Sequence, residues 1–92
     1  MGLYALGAES NADKETRILR LKSYLETSNP NSTDNTRYST LTALEKAQIT
    51  SWRTLLSYLK YIENNYTLTP KGQENLAIAK RETAYIIKKN NR

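Results

Sequence analysis

The stretch from Thr42 to Asn64 constrains the fold more than any other part of the chain. Leu44, Ala47, Trp52, Leu55, Leu56, Leu59 and Ile62 follow helical spacing, which places them on one side of an α-helix and excludes a strand, whose period is two. Thr42 and Glu45 stand at the T-x-x-E spacing of a capping box, where hydroxyl and carboxylate each accept from a backbone N–H that the helix leaves without a partner. The spacing predicts one helix over about 43–64. At a rise of 1.5 Å per residue it would reach ~33 Å, long for 92 residues, and it is expected to form the backbone of the fold.

Two further helices are expected around it. Ile18, Leu21 and Leu25, flanked by Leu19 and Tyr24, recur at three and four residues, and Ser10 with Asp13 has the S-x-x-D spacing of a helix start. This gives a first helix over about 10–27, with Asp13 and Arg17 in the favourable order for a surface ion pair. Thr69 supplies an N-cap for a last helix over about 70–89. Pro70 then takes the first helical position, where its missing N–H costs nothing. Leu76, Ala79, Thr83 and Ile86 or Ile87 mark the apolar side, and Gly72 is expected to weaken the first turn slightly.

Between the first two helices, residues 27–41 are almost wholly polar, and Pro30 forbids helix continuation. They read as a loop. The short connection from Asn65 to Thr69 suits antiparallel neighbours. The expected architecture is therefore all-α: a single helical domain over 1–92, with 1–9 as an N-terminal arm, three helices, and the long central one forming a hairpin with the C-terminal one. The absence of valine, the best strand former, agrees with this.

Composition removes several function classes. With no cysteine and no histidine, zinc frameworks, disulfide scaffolds, cysteine nucleophiles and histidine bases are excluded, and only carboxylates remain for a metal. No cofactor is expected. Nor does the sequence hold a glycine-rich phosphate cradle, an activated nucleophile or an opposed carboxylate pair, so the expected protein is not an enzyme. No run approaches the ~20 apolar residues that span a bilayer, and the N-terminal residues lack the basic region of a secretory signal. The expected location is intracellular, in a host cytoplasm or a virion. Asn31-Ser32-Thr33 and Asn65-Tyr66-Thr67 match glycosylation sequons, which carry no meaning without secretion.

The aromatic residues are seven tyrosines and one tryptophan, with no phenylalanine. A tyrosine hydroxyl needs a partner when buried, so this bias points to rings at a surface or interface. Trp52, Arg53, Tyr58 and Tyr61 form the candidate partner-binding set, and Tyr66 follows them; the plainer reading makes Trp52 the largest anchor of the core and has the tyrosines rim it.

Fourteen basic side chains against nine acidic give a net charge of +5. From Lys71 onward six bases (Lys71, Lys80, Arg81, Lys88, Lys89, Arg92) oppose Glu74 and Glu82, a local +4. Lys46, Arg53 and Lys60, seven apart, would share one stripe of the central helix. Lys46, Lys60, Lys80, Arg81, Lys88, Lys89 and Arg92 are thus candidate nucleic-acid contacts. Cations near helix C-termini and on solvated faces are the plainer reading. The string LTPKG at 68–72 resembles a piece of some winged-helix regulators, but no alternating strand pair for a wing is present.

RILRLKSYLETSN at 17–29, a polar gap, and LTALEKAQITSWRTLL at 41–56 are together similar to phage tail or tail-fibre assembly chaperones. In that pattern an arginine-rich helix ending in a Leu pair is followed by a turn and an L-T-x-x-E start leading into an aromatic-Arg-x-x-Leu helix. Arg20, Tyr24, Leu25, Ser28 and Asn29 fall in the first part, and Thr42, Glu45, Trp52, Arg53 and Leu56 in the second. Asn29 stands where the family prefers Asp, and Ser57-Tyr58-Leu59-Lys60 replaces its Arg-Asp-Ile-Pro ending. The resemblance, over 17–59, implies a helical assembly factor or small virion structural component that binds tail or fibre proteins. The alternatives are a small basic nucleic-acid-binding protein, and an accessory subunit or inhibitor of a larger complex; a homo-oligomer fits each.

Overall fold

The structure, a computed structural model, describes residues 11–27 and 35–90, with Asn11 and residues 35–40 described in backbone alone. The expected N-terminal arm, the Ser10 half of the first capping pair, residues 28–34 of the polar segment and Arg92 lie outside the described residues. Four helices are described: α1 (Asn11–Thr27), α2 (Asn35–Ala47), α3 (Trp52–Asn65) and α4 (Pro70–Asn90), with no strand among the described residues. The all-α class holds. None of these helices is long and apolar enough to cross a membrane.

The long central helix is corrected to two helices. α2 ends at Ala47, and Gln48 takes a left-handed conformation, φ 57°. The Gln48 N–H donates to the Glu45 carbonyl at 3.2 Å and the Ile49 N–H to the Leu44 carbonyl at 3.1 Å, the paired bonds of a Schellman stop. Ile49, at 7% exposure, turns into the core as the apolar residue that accompanies such a stop. Ser51 then opens α3 from extended backbone (φ −147°, ψ 156°), its Oγ accepting from the Thr54 N–H at 3.1 Å.

The reason lies in what a continuous helix would bury. Gln48 and Ser51 stand seven and four residues before Leu55, so an unbroken helix would carry both onto the face that Leu55, Leu59 and Ile62 sink into the core. Breaking the helix exposes both and buries Ile49 instead. Thr42 and Glu45 consequently lie inside α2 and do not start a helix. The start has moved upstream to Asn35, so residues 35–41, expected as loop, are helical. Ala43 and Ala47, both buried, seat this helix against α1 and α4, and that packing outweighs the weak helix propensity of its Asn, Ser and Thr residues.

The hub of the fold is α4, which packs against each of the other three helices. Its buried side carries Leu76, Ala79, Thr83 and Ile86, as the spacing predicts. α3 and α4 run antiparallel as the expected hairpin. Glu63 pairs with Lys80 near the turn, and Arg53 and Ile87 line one hollow at the far end. Ile18, Leu21 and Leu25 of α1 complete the core, each buried aliphatic side chain contributing ~1.5–3 kcal/mol.

The start of α4 is built jointly with the end of α1. Thr69 caps α4 as expected: its Oγ1 accepts from the Gly72 N–H at 3.0 Å, with Pro70 at the first helical position. The carboxylate that would complete a capping box comes from another helix. Glu26 Oε2 accepts the Thr69 N–H at 3.2 Å, across 43 residues of sequence. In return, the buried Asn75 Nδ2 donates to the Leu25 carbonyl at 2.6 Å, in the last turn of α1 where carbonyls lack intrahelical partners. Gly72 thus gives room where the sequence suggested only weakness.

Candidate partner-binding site

The four residues singled out as a partner-binding set land in different surroundings. Trp52, restarted by the break at Gln48, is the first residue of α3 and not mid-helix; its indole is half-buried against the edge of the core. Arg53 beside it is exposed. Tyr58 is corrected: lying between Leu55 and Ile62 on the inner face of α3, it is 6% exposed and belongs to the core, so it presents no docking surface. Tyr61 is exposed and meets the half-buried Tyr66 edge-on, ring centroids 6.2 Å apart and planes at 62°.

Trp52 and Arg53 do line a concave surface. With Ser51, Ile87 and Asn90 they wall a hollow of about 230 Å³ where the start of α3 meets the end of α4. A second hollow of about 290 Å³ adjoins it, lined by Arg53, Leu56, Ser57, Lys60 and Ile87. Arg53 and Ile87 belong to both, so the two make one groove along the α3/α4 seam. Its floor is apolar, through the half-buried Leu56 and Ile87, and its rim carries the exposed Arg53 and Lys60. No carboxylate lines it. Neither Arg53 nor Lys60 makes an ion pair among the described residues, and the next acid along this side of α3, Glu63, is held by Lys80.

Sequence reasoning assigned Leu56 and Ile87 to the core side and missed their role in the groove. Each is the second member of an apolar doublet, Leu55-Leu56 and Ile86-Ile87. Successive helical residues point 100° apart, so one member of each doublet is buried, Leu55 at 0% and Ile86 at 8%, and the other is left on the flank. The doublets were the available signal.

The basic residues do not form one surface. The Lys46, Arg53, Lys60 stripe is dissolved by the helix break: Lys46 lies in the last turn of α2, its ammonium 5.9 Å from the Tyr24 ring centroid, while the other two stay on α3. Lys80 is neutralised by Glu63. Arg81, Lys88 and Lys89 are exposed on α4, and Tyr85, four residues after Arg81 and three before Lys88, is 58% exposed.

At the other end of the α3/α4 seam a cavity of about 440 Å³ lies over Leu68 and Leu76, with the Glu63–Lys80 pair beside it. Next to it the Tyr66 hydroxyl donates to the Glu15 carboxylate. That bond, with partial loss of water, the Glu15 charge and the neighbouring Tyr61, pushes the Tyr66 phenol from 10.0 up to about 12. Among the described residues no group of three or more acids, histidines or cysteines converges to hold a metal.

Comparison of the chain with protein-family models, curated proteins and solved structures returns no match.

Proposed function

We propose that this chain is a non-enzymatic protein-interaction module. The observation that carries the reading is the groove of Trp52, Arg53, Leu56 and Ile87. It joins a half-exposed indole, two half-buried aliphatic side chains and a guanidinium without an ion pair among the described residues in one concavity, the mixture that concentrates binding energy at protein interfaces.

The resemblance of residues 17–59 to phage tail assembly chaperones supplies the class of partner: a tail or fibre subunit, met during assembly or in the finished virion. In this chain the L-T-x-x-E and Trp-Arg-x-x-Leu segments of that resemblance lie on two helices, α2 and α3, and Trp52 is brought to the groove by the separation. The test is co-expression with tail and fibre subunits followed by purification. A stable complex with one of them, lost in Trp52→Ala, is the expected result; a strict monomer that retains none of them overturns it.

A second reading, nucleic-acid binding, is favoured by one observation, the exposed Arg81, Tyr85, Lys88 and Lys89 face of α4. Lys46 and Lys80 leave that set, being turned to Tyr24 and Glu63. Phosphate contacts would make such binding fall steeply with salt, and absence of any DNA or RNA mobility shift at low salt removes it.

A further inference from the structure

We propose that the α3/α4 groove receives an acidic amphipathic helix of the partner protein. The inference rests on the protein-interaction reading and names the chemistry of what binds.

Three features of the groove select this occupant. Arg53, Leu56, Ser57 and Lys60 lie at i, i+3, i+4 and i+7 along one side of α3. Cations at the ends of that spacing, ~10.5 Å of helix rise apart, match carboxylates seven residues apart on an incoming helix. Apolar residues between those carboxylates then drop onto Leu56 and Ile87, the usual helix-in-groove arrangement. Strand addition, the mode in which an extended segment gains backbone hydrogen bonds, would need a sheet edge, and no strand is present among the described residues.

The second feature is charge. Both rim cations are without an ion-pair partner among the described residues and no carboxylate lines the hollows, so an acidic face meets two open partners, one a guanidinium able to grip a carboxylate bidentately. A second copy of this chain would instead bring a net charge of +5 against the same rim.

The third feature is the floor. Leu56, Ile87 and Trp52 give an aliphatic and aromatic bed on which a phosphate backbone gains nothing. The exposed Tyr85 with its flanking bases, which suits nucleic acid better, is a separate face of α4.

Trp52 is the chain's sole tryptophan and sits in the groove, so its emission reads occupancy directly. The experiment titrates the full chain with a synthetic tryptophan-free helical peptide carrying glutamates seven residues apart around two leucines. The same peptide with lysines for glutamates, and a single-stranded oligonucleotide, run in parallel. The expected result is a saturable blue shift with the acidic peptide alone, weakened at least ~10-fold by Arg53→Glu with Lys60→Glu. Both sites are exposed and Arg53 lies in the first turn of α3, where an acid suits the helix dipole. An unchanged thermal melt of the double variant confirms its fold, and Ile87→Ser provides a second weakened variant without charge reversal.

No shift, equal binding of the lysine peptide, full affinity in the charge-reversed variant, a shift by the oligonucleotide, or self-association on sedimentation would each overturn the proposal. A photo-cross-linker at Ser57 and another at Leu19, on a different helix, distinguish binding in the groove from binding elsewhere on the chain. If the peptide fails but Leu19 cross-links a co-expressed subunit, the groove assignment falls and the interaction module stands. Failure of the peptide together with no adduct from either position removes both.

Discussion

The Cγ of Glu26 stands 2.8 Å from where a Cβ on Gly72 would sit. A side chain of α1 therefore occupies the space that every other amino acid would need in the first turn of α4, and it does so while accepting the Thr69 N–H. Gly-to-Ala in an ordinary helix gains ~1 kcal/mol of propensity. Here Gly72→Ala is expected to cost ~1–2 kcal/mol, the scale of overpacking, because Glu26 must give up its place to admit the methyl group. Urea unfolding checks the sign. The cost should shrink in a Glu26→Ala background, giving a coupling that a double-mutant cycle measures.

Gln48 holds a backbone conformation that strains any residue with a Cβ. Gln48→Gly keeps the turn and is expected to raise stability by ~0.5–1 kcal/mol, the strain relieved exceeding the extra chain entropy. A rise in the urea midpoint at constant slope is the readout. A fall would mean that the Gln48 side chain contributes more than its backbone costs.

Thr83 is fully buried on α4, and its Oγ1 has no hydrogen-bond partner among the described residues. Thr83→Val preserves shape and removes the hydroxyl, so a gain of ~1 kcal/mol is expected from ending the desolvation of an unpaired group. Thr83→Ser retains the hydroxyl, loses a methyl group and should destabilise. The pair of melts distinguishes polarity from packing.

Tyr66 should ionise near 12 in a phenolate absorbance titration. Its folded-state pKa is raised, so the stabilisation is fully present below the unfolded value of 10.0 and is lost as pH rises from there through about 12. Glu15→Gln removes the charge that accepts its proton, and should bring this titration back toward that of an ordinary tyrosine. If the ionisation near 12 is unmoved by Glu15→Gln, the bond to Glu15 is not its cause.

Much of the fold was readable because capping is local chemistry. Thr69 and Pro70 mark the start of α4 by themselves, and the Ile18, Leu21, Leu25 spacing fixes the buried side of α1. The break after Ala47 was also written in the chain, as two polar residues, Gln48 and Ser51, at positions that a continuous helix would bury. The run of apolar residues on either side concealed it. What no local pattern discloses is a cap supplied across 43 residues, because Glu26 and Gly72 acquire their relationship only when α1 and α4 meet. The groove was half legible. Trp52 and Arg53 announce themselves by type, but Leu56 and Ile87 look like core residues until α4 is laid beside α3. Tyr58 shows the reverse error, since an interface-prone residue type stands at a core-facing position.

The exchange of bonds between Glu26 and Thr69, and between Asn75 and Leu25, ties two helix ends that the chain separates by all of α2 and α3. Helix starts ordinarily fray on their own, but these two bonds should couple the opening of this one to the distant end of α1. Closing so long a loop is the slow, entropically opposed step of assembly, and it also makes the opening collective. Backbone amides at Gly72 and Gln73 should then exchange with deuterium as slowly as those in the middle of α1, and Glu26→Ala should release the first turn of α4 alone. The end of α1 and the start of α4 would in that sense form a single cooperative unit.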